Sequence, residues 1–396
     1  KSLASKEVST VRTRAKLSLE YPATHLAVDV DQQELYATDT QGNLYYFDIS
    51  NKSEPRLVER VAAVANGVPI TALVFLSGGI SILVGDGSGQ IAQWFPVRDD
   101  ENNYSLQKVR SFDSQTSPIT ALVPEYFRKG FLAADAGGTL GVYHATAERT
   151  VALERIAGGV VSRMAIAPRA DALLVERPGG RLSVLDVENE HPEVSWRSLW
   201  GKVWYESRQQ PEYIWQSSSA SSDFEPKFSL TPLAFGTFKA ALYASLFAVP
   251  LAIMGAIYTA YFMHARMRNL VKPTIEIMAA LPSVILGFLA GLWFAPFVEN
   301  HLPGIFLILL SIPVSILAFG ILWEVLPQRV RQRVPEGSEA ILLVPVLVVA
   351  FALSITLSQP VEVMLFGGNM PLWLSQEMGI TYDQRNSLVV GFAIAF

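Results

Sequence analysis

The residues whose types and spacing could do chemistry lie in the second half of this sequence. The chemistry they suggest is passage of an ion, not the making of bonds. Lys239 stands among apolar residues between Phe235 and Val249, and an intramembrane cation is by default a functional candidate. Its ammonium could draw an anion inward, or snorkel to the nearby helix end. Pro250 and Pro282 each fall inside an apolar run, where a proline removes a backbone hydrogen bond and kinks the helix. Such a kink serves as a pivot beside a pathway or as static packing. Ser283 follows Pro282 directly. Glu276 follows Pro273 near the expected start of its helix, where an acid suits the helix dipole. Gly287 and Gly291 form a G-x-x-x-G pattern that lets helices approach closely.

Long apolar runs must position these residues. Ala240 to Met263 and Ile275 to Val298 are each long enough to cross roughly 30 Å of hydrocarbon as a helix. Between them lie Arg266, Arg268 and Lys272, with no acid, which places that turn on the cytoplasmic side. Two more runs follow, Gly304 to Val325 and Ala340 to Leu357, separated by Arg329, Arg331 and Arg333. Glu299 to Pro303 and Gln359 to Gln384 hold no Lys or Arg. The basic connections therefore alternate, and the first half of the chain falls outside the cytoplasm. The expected helices cover about 234–263, 274–298, 304–326, 339–358 and 386–396, the last of them truncated.

Residues 25 to 187 repeat. Each unit has an alternating apolar strand, a polar turn, a second strand, a glycine turn and a third strand, and starts at His25, Ile70, Ile119 or Val161. The turn glycines Gly42, Gly89, Gly138 and Gly180 are spaced by 47, 49 and 42 residues, close to the roughly 40–45 residues of a WD-type propeller blade. Period-2 alternation marks half-buried strands, and the glycine supplies the positive φ of a tight hairpin. Phe47, Trp94 and Tyr143 end the third strands, where they are expected to pack between blades. Asp39, Asp86 and Asp135 hold equivalent places and read as turn caps rather than metal ligands. The repeats resemble WD40-like β-propellers, without the Trp-Asp dipeptide. A β-sandwich is the alternative, and further blades are expected upstream.

Between Glu188 and Ser229 the composition changes. Trp196, Trp200 and Trp204 recur at i, i+4, i+8 and are expected to share one helical face, either lying on the outer leaflet or docking domains. Ser217 to Ser222 reads as a flexible linker. The expected domains are thus 1–190, extracytoplasmic propeller repeats; 191–229, an aromatic interfacial segment and linker; and 230–396, an all-α polytopic transmembrane domain.

The bulk numbers fit that division. A formal charge of −5 argues against nucleic acid as a partner. No cysteine is present, which excludes disulfides, thiolate metal sites and a Cys nucleophile. The histidines at 25, 144, 191, 264 and 301 show no ligand spacing. No cofactor and no metal are expected. Lys1 in place of Met, and the nine-residue run Leu388 to Phe396, lead us to expect more sequence at both ends.

One ordered set of residues is more specific. Gly236-Thr237, Val249-Pro250, the basic turn Arg266 to Lys272, Lys272-Pro273, Glu276, Ala279-Ala280-Leu281-Pro282-Ser283 and Gly287-Phe288 resemble the inner-membrane permease subunit of phosphate-type ABC importers. The resemblance covers about 70 residues, Leu230 to Val298, and resumes weakly at Gln384 to Phe396. It implies a second permease subunit, cytoplasmic ATP-binding subunits, a periplasmic phosphate-binding protein and membrane lipid as partners. It also implies one helix upstream, with the propeller inserted after it on the periplasmic side of a bacterial inner membrane. The pair Gly304 to Leu357 departs from the family and looks like an extra hairpin. The ATPase-docking loop and the later Arg and Glu pathway residues would follow Phe396. No P-loop occurs, so ATP hydrolysis is expected in a partner. Two other functions stay open: a membrane-anchored sensor or assembly protein whose propeller binds a partner, and a propeller enzyme, which needs a cluster of acids, His or Arg at the central channel.

Overall fold

The computed structural model describes residues 14–219, 224–280, 282–331, 334, 339–384 and 386–395. The chain divides into two compact units, Lys1–Leu233 and Ala234–Phe396.

Among its described residues up to Phe228, the first unit is β apart from one short helix. Three four-stranded antiparallel meanders follow one another: β1 to β4 (Ala23–Val28, Glu34–Asp39, Asn43–Asp48, Arg56–Ala62), β5 to β8 (Ile70–Phe75, Ile82–Asp86, Ile91–Arg98, Tyr104–Phe112) and β9 to β12 (Ile119–Pro124, Gly130–Asp135, Thr139–His144, Arg149–Arg155). A fourth meander has three strands, β13 to β15 (Arg163–Ile166, Ala172–Arg177, Arg181–Asp186). The three-strand repeat thus gains an outer strand in three of the four units. The inner strands β1, β5, β9 and β13 are neighbours in that order. They line a cavity of about 530 Å³ whose walls include Val28, Phe75, Val123, Met164 and Ile166.

The turns follow from the sequence. Gly42, Gly89, Gly138 and Gly180 all have positive φ, which only glycine adopts freely. Asp39 Oδ1 accepts from the amides of Gln41 and Asn43 at 2.8 and 2.9 Å, Asp86 Oδ1 from Ser88 and Gln90 at 2.8 and 3.0 Å, and Asp135 Oδ1 from Gly137 and Thr139 at 2.9 and 2.7 Å. One carboxylate thus satisfies the amides two and four residues on, the turn-capping role. Trp94 packs with Tyr36, Tyr46 and Ile82 between the first two sheets, and Tyr143 with Phe112 and Phe131 between the next two. Phe47 does not lie between sheets; it packs with Tyr45, Leu17 and Leu19.

The stretch after β15 departs from expectation. Helix α1 spans only Trp196–Trp200. The chain turns extended at Gly201, so Trp204 cannot share a helical face with Trp196 and Trp200. It packs edge-on against Phe95, 6.0 Å between ring centroids, and its Nε1 donates to the Arg208 carbonyl. The serine-rich segment is not a linker between domains. Strand β16 (Trp215–Gln216) pairs with β17 (Lys227–Phe228), so the serines belong to the connection of a hairpin. Within that connection, Ser221 and Ser222 lie outside the described residues.

The second unit is helical. Helix α2 (Thr231–Ile257) continues through a wide turn, Tyr258–Phe262. Then come α3 (Ala265–Ala279), α4 (Ser283–Leu289), a second wide turn (Ala290–Phe294), α5 (Ala295–Asn300), α6 (Leu302–Val325), α7 (Gln328–Arg331), α8 (Glu339–Thr356), α9 (Ser358–Phe366), α10 (Met370–Glu377) and α11 (Ser387–Ala395). Thr231–Phe262 and Leu302–Val325 are long and apolar enough to cross a membrane. Two bent pairs bring the number to as many as four: Ala265–Ala279 with Val284–Asn300, bent by 81°, and Ile341–Thr356 with Ser358–Glu377, bent by 41°. The expected straight helix over 274–298 is therefore broken beside Pro282, and its first part starts at Ala265. The acidic connection 359–384 is largely α9 and α10. Arg333 lies outside the described residues.

Small residues set the close contacts. A Cβ on Gly391 would lie 2.7 Å from the Tyr243 Cβ, and one on Gly304 would lie 2.9 Å from the Ser358 Cβ. The Gly304 amide donates to Ser358 Oγ at 3.0 Å, and the hydroxyls of Ser311 and Ser354 meet at 2.8 Å. Such contacts suit helices in lipid, where small residues and hydroxyls hold neighbours together.

Candidate functional site

The sequence-predicted positions spread along three helices. Lys239 is in α2, exposed, with its Nζ 5.9 Å from the centre of the Tyr243 ring one turn on. Pro250 lies inside α2, two turns before the wide turn at Tyr258. Glu276 is in the last turn of α3, not near a helix start. An acid there meets the negative end of the helix dipole, so the dipole account fails. Pro282 caps the N-terminus of α4 without a side-chain bond, and Ser283 is its first residue; the Ser283 side chain lies outside the described residues. Gly287 and Gly291 have open space on their Cβ sides, with nothing within 4 Å. Among the described residues, the G-x-x-x-G pattern is therefore not used for packing. No side-chain hydrogen bond or ion pair joins any two of these positions among the described residues.

Sequence reading missed a second cluster, buried in the first unit. Lys129 Nζ meets Glu206 Oε2 at 2.6 Å, with both side chains at most 5% exposed. The other Glu206 oxygen accepts from Ser81 Oγ at 2.6 Å, and the Glu206 amide donates to Glu225 Oε2 at 2.9 Å. Thr146 Oγ1 donates to Glu225 Oε1. Arg110, buried, donates to Gln93 Oε1 at 2.9 Å and to the Trp204 carbonyl at 2.5 Å. Burial, and next the charge of Glu206, raise the Glu225 carboxyl above the ordinary carboxylate range. His144 Nδ1 accepts from the Ala147 amide at 3.2 Å. Burial and then Arg128, Arg110, Arg149 and Lys129 push His144 down to about 3, so it is neutral at pH 7.

These groups satisfy one another. Each carboxylate of the pair is met by hydroxyl, amide or ammonium donors, as buried charges require. The arrangement is a clamp: it fixes Trp204, Glu206 and Glu225 onto the second and third sheets. Beside it a cleft of about 1080 Å³ is lined by Lys129, His144, Arg169, Asp171, Asn189 and Phe228, among others. The only sequence signal for the clamp was two acids, Glu206 and Glu225, among aromatics; their partners stand 77 and 79 residues away.

No family model matches the sequence. Over 89 residues the chain is 30% identical to YqgH of Bacillus subtilis (strain 168), described as a probable ABC transporter permease protein. The matched stretch is 22% of this chain and 29% of the length of YqgH. Among solved structures, the computationally designed Ika4 and Ika8 proteins align with TM-scores of 0.37 and 0.36 at 16% and 17% identity. They cover 45% and 44% of this chain, and 100% and 48% of their own. The Cps50 (Swd1) beta-propeller domain of Myceliophteria thermophila aligns with a TM-score of 0.36 at 16% identity, over 42% of this chain and 51% of that one.

Proposed function

We propose that this chain is a permease subunit of an ATP-driven ABC importer and that its cargo is inorganic phosphate. The observation that carries the proposal is the 89-residue similarity to an ABC transporter permease. A helical unit with up to four apolar spans supports it. The phosphate assignment rests on the ordered residues from Gly236-Thr237 to Gly287-Phe288 alone. In this reading Lys239 attracts the anion, Pro250 and Pro282 are pivots, and the open faces of Gly287 and Gly291 receive the second permease subunit. The chain makes and breaks no bonds itself; ATP-binding subunits supply the energy and a soluble binding protein delivers the anion. The membrane is a bacterial inner membrane and the β unit stands on its outer side.

The test is uptake of radiolabelled phosphate by cells without their own high-affinity importer, expressing the full-length protein with its neighbouring subunits. Uptake that Gly287→Trp abolishes, with the subunits still assembled, supports the reading. An assembled complex that imports no phosphate overturns the cargo, and one that imports no oxyanion overturns the permease role. A second reading, a sensor whose β unit binds a partner, is favoured by the cleft of about 1080 Å³ in that unit. A truncation that keeps uptake but loses its regulation would assign sensing to the β unit.

A further inference from the structure

Helix α3 differs in kind from the helices around it. Over its length a helix turns about 100° per residue. Met267, Leu270, Val271, Thr274, Ile277 and Met278 then share one side, while Arg268, Asn269, Lys272 and Glu276 fall on the other, with Arg266 at its border. In α2 and α6, by contrast, apolar residues run all the way round. At 15 residues, α3 is only about 22 Å long, too short to cross about 30 Å of hydrocarbon.

Its place is fixed from both ends. Only Met263 and His264 separate it from the wide turn that closes the first apolar span. The Arg268 guanidinium reaches back and donates to the carbonyls of Ala260 at 2.8 Å and Met263 at 3.3 Å. That ties the first turn of α3 to the end of the span. The helix that follows leaves at 81°. Pro273 cannot donate to the Asn269 carbonyl; that carbonyl lies on the polar side, where water can reach it. Leu270, Ile277 and Met278 are 66%, 69% and 49% exposed. Three cations against one acid leave the helix net positive.

We propose that α3 lies in the membrane interface and binds anionic lipid headgroups. The side bearing Leu270, Thr274 and Ile277 enters the acyl boundary, and Arg266 and Lys272 meet the phosphates. An apolar face beside a basic one is what such a surface selects, and the lipid phosphates complement the charge. The inference rests on membrane insertion of the neighbouring helices, not on transport, so loss of the importer reading would leave it standing.

The absence of cysteine from these residues makes single-site labelling direct. Full-length protein carrying Asn269→Cys, Leu270→Cys, Thr274→Cys, Glu276→Cys or Ile277→Cys would be spin-labelled. It would be placed in nanodiscs of phosphatidylcholine with or without phosphatidylglycerol. Labels at 270, 274 and 277 are expected to collide with oxygen, and those at 269 and 276 with a water-soluble nickel chelate. Fluorescence from a probe at position 277 is expected to be quenched more by brominated phosphatidylglycerol than by the brominated choline lipid. That preference should fall on the order of fivefold for each charge removed in Arg266→Gln and Lys272→Gln. Labels at 270, 274 and 277 shielded from both reagents would mean that a cytoplasmic protein covers the face, and would overturn the proposal. Uniform access to the nickel chelate, or a lipid preference unchanged in the double variant, would also overturn it. The collision pattern decides even if the double variant inserts poorly.

Discussion

Lys129 and Glu206 sit 2.6 Å apart with at most 5% of either side chain exposed, and at that depth removing one charge matters more than the pair does. Lys129→Met leaves a buried carboxylate uncompensated and is expected to destabilise the β unit by about 3–5 kcal/mol. The double variant Lys129→Met with Glu206→Met should recover much of that. Tryptophan fluorescence during thermal unfolding of the full-length protein measures both; a single-variant loss below about 1 kcal/mol would mean the pair is not a clamp. His144 makes a pH prediction. Its folded pKa of about 3 lies below the ordinary value of 6.5, so its neutral form is the one the fold prefers. The stability it lends is complete above pH 6.5 and is lost as pH falls toward 3, at up to about 1.4 kcal/mol per pH unit. Unfolding midpoints between pH 7 and 4 should flatten in His144→Asn. Glu225 is raised and has the opposite sense: its share is present at low pH and lost as pH rises through its folded value. None of this was legible in the sequence, because Ser81 and Glu206 are 125 residues apart and nothing local marks them as partners.

At the scale of elements the sequence was more informative. The D-x-x-G turns were readable because each carries its own cap and its own positive-φ residue within four positions. Gly89 and Gly180 separate the two reasons for glycine. A Cβ on Gly89 would meet the Gln115 carbonyl oxygen at 2.3 Å, whereas Gly180 has nothing within 4 Å. Gly180→Ala is expected to cost about 1–2 kcal/mol from left-handed backbone alone. Gly89→Ala should cost clearly more, since the obstacle is backbone; equal losses in protease resistance would contradict the clash. The outer strands β4, β8 and β12 escaped notice for a physical reason. Arg56–Ala62 and Arg149–Arg155 carry charges on exposed positions, so their alternation is weak. The three tryptophans misled because spacing alone ignores Gly201, where the helix ends. In the helical unit, Gly391→Leu should break the contact with Tyr243 and lower expression of folded protein. Gly287→Leu should leave the isolated chain's melting unchanged. If Gly287→Leu unfolds the chain in detergent, its open face is wrong.

At the scale of the molecule, the expected linker is the point of greatest disagreement. Ser217 to Ser222 looked like a tether because serine-rich segments usually are. Pairing of Trp215 with Phe228 and of Gln216 with Lys227 could not be read from so short a pair of strands. A protease site inserted between Gln216 and Lys227 discriminates the two. Cleavage of a tether releases the β unit, whereas cleavage of a hairpin connection leaves both pieces together on size exclusion, held by Glu225 and Glu206. The Leu230 amide still donates to the Leu199 carbonyl at 2.7 Å, and Thr231 Oγ1 to that of Trp200 at 3.3 Å. The clamp also orders events in time. Each meander closes on near neighbours and can form as soon as its strands exist, but Glu206 and Glu225 need the second and third meanders already built. Long-range contacts form late, and the segment leading to α2 is therefore expected to dock after the second and third meanders during synthesis. Until it docks, Lys129 and Arg110 stand open at the rim, and a chain stalled there presents cations that the finished protein hides.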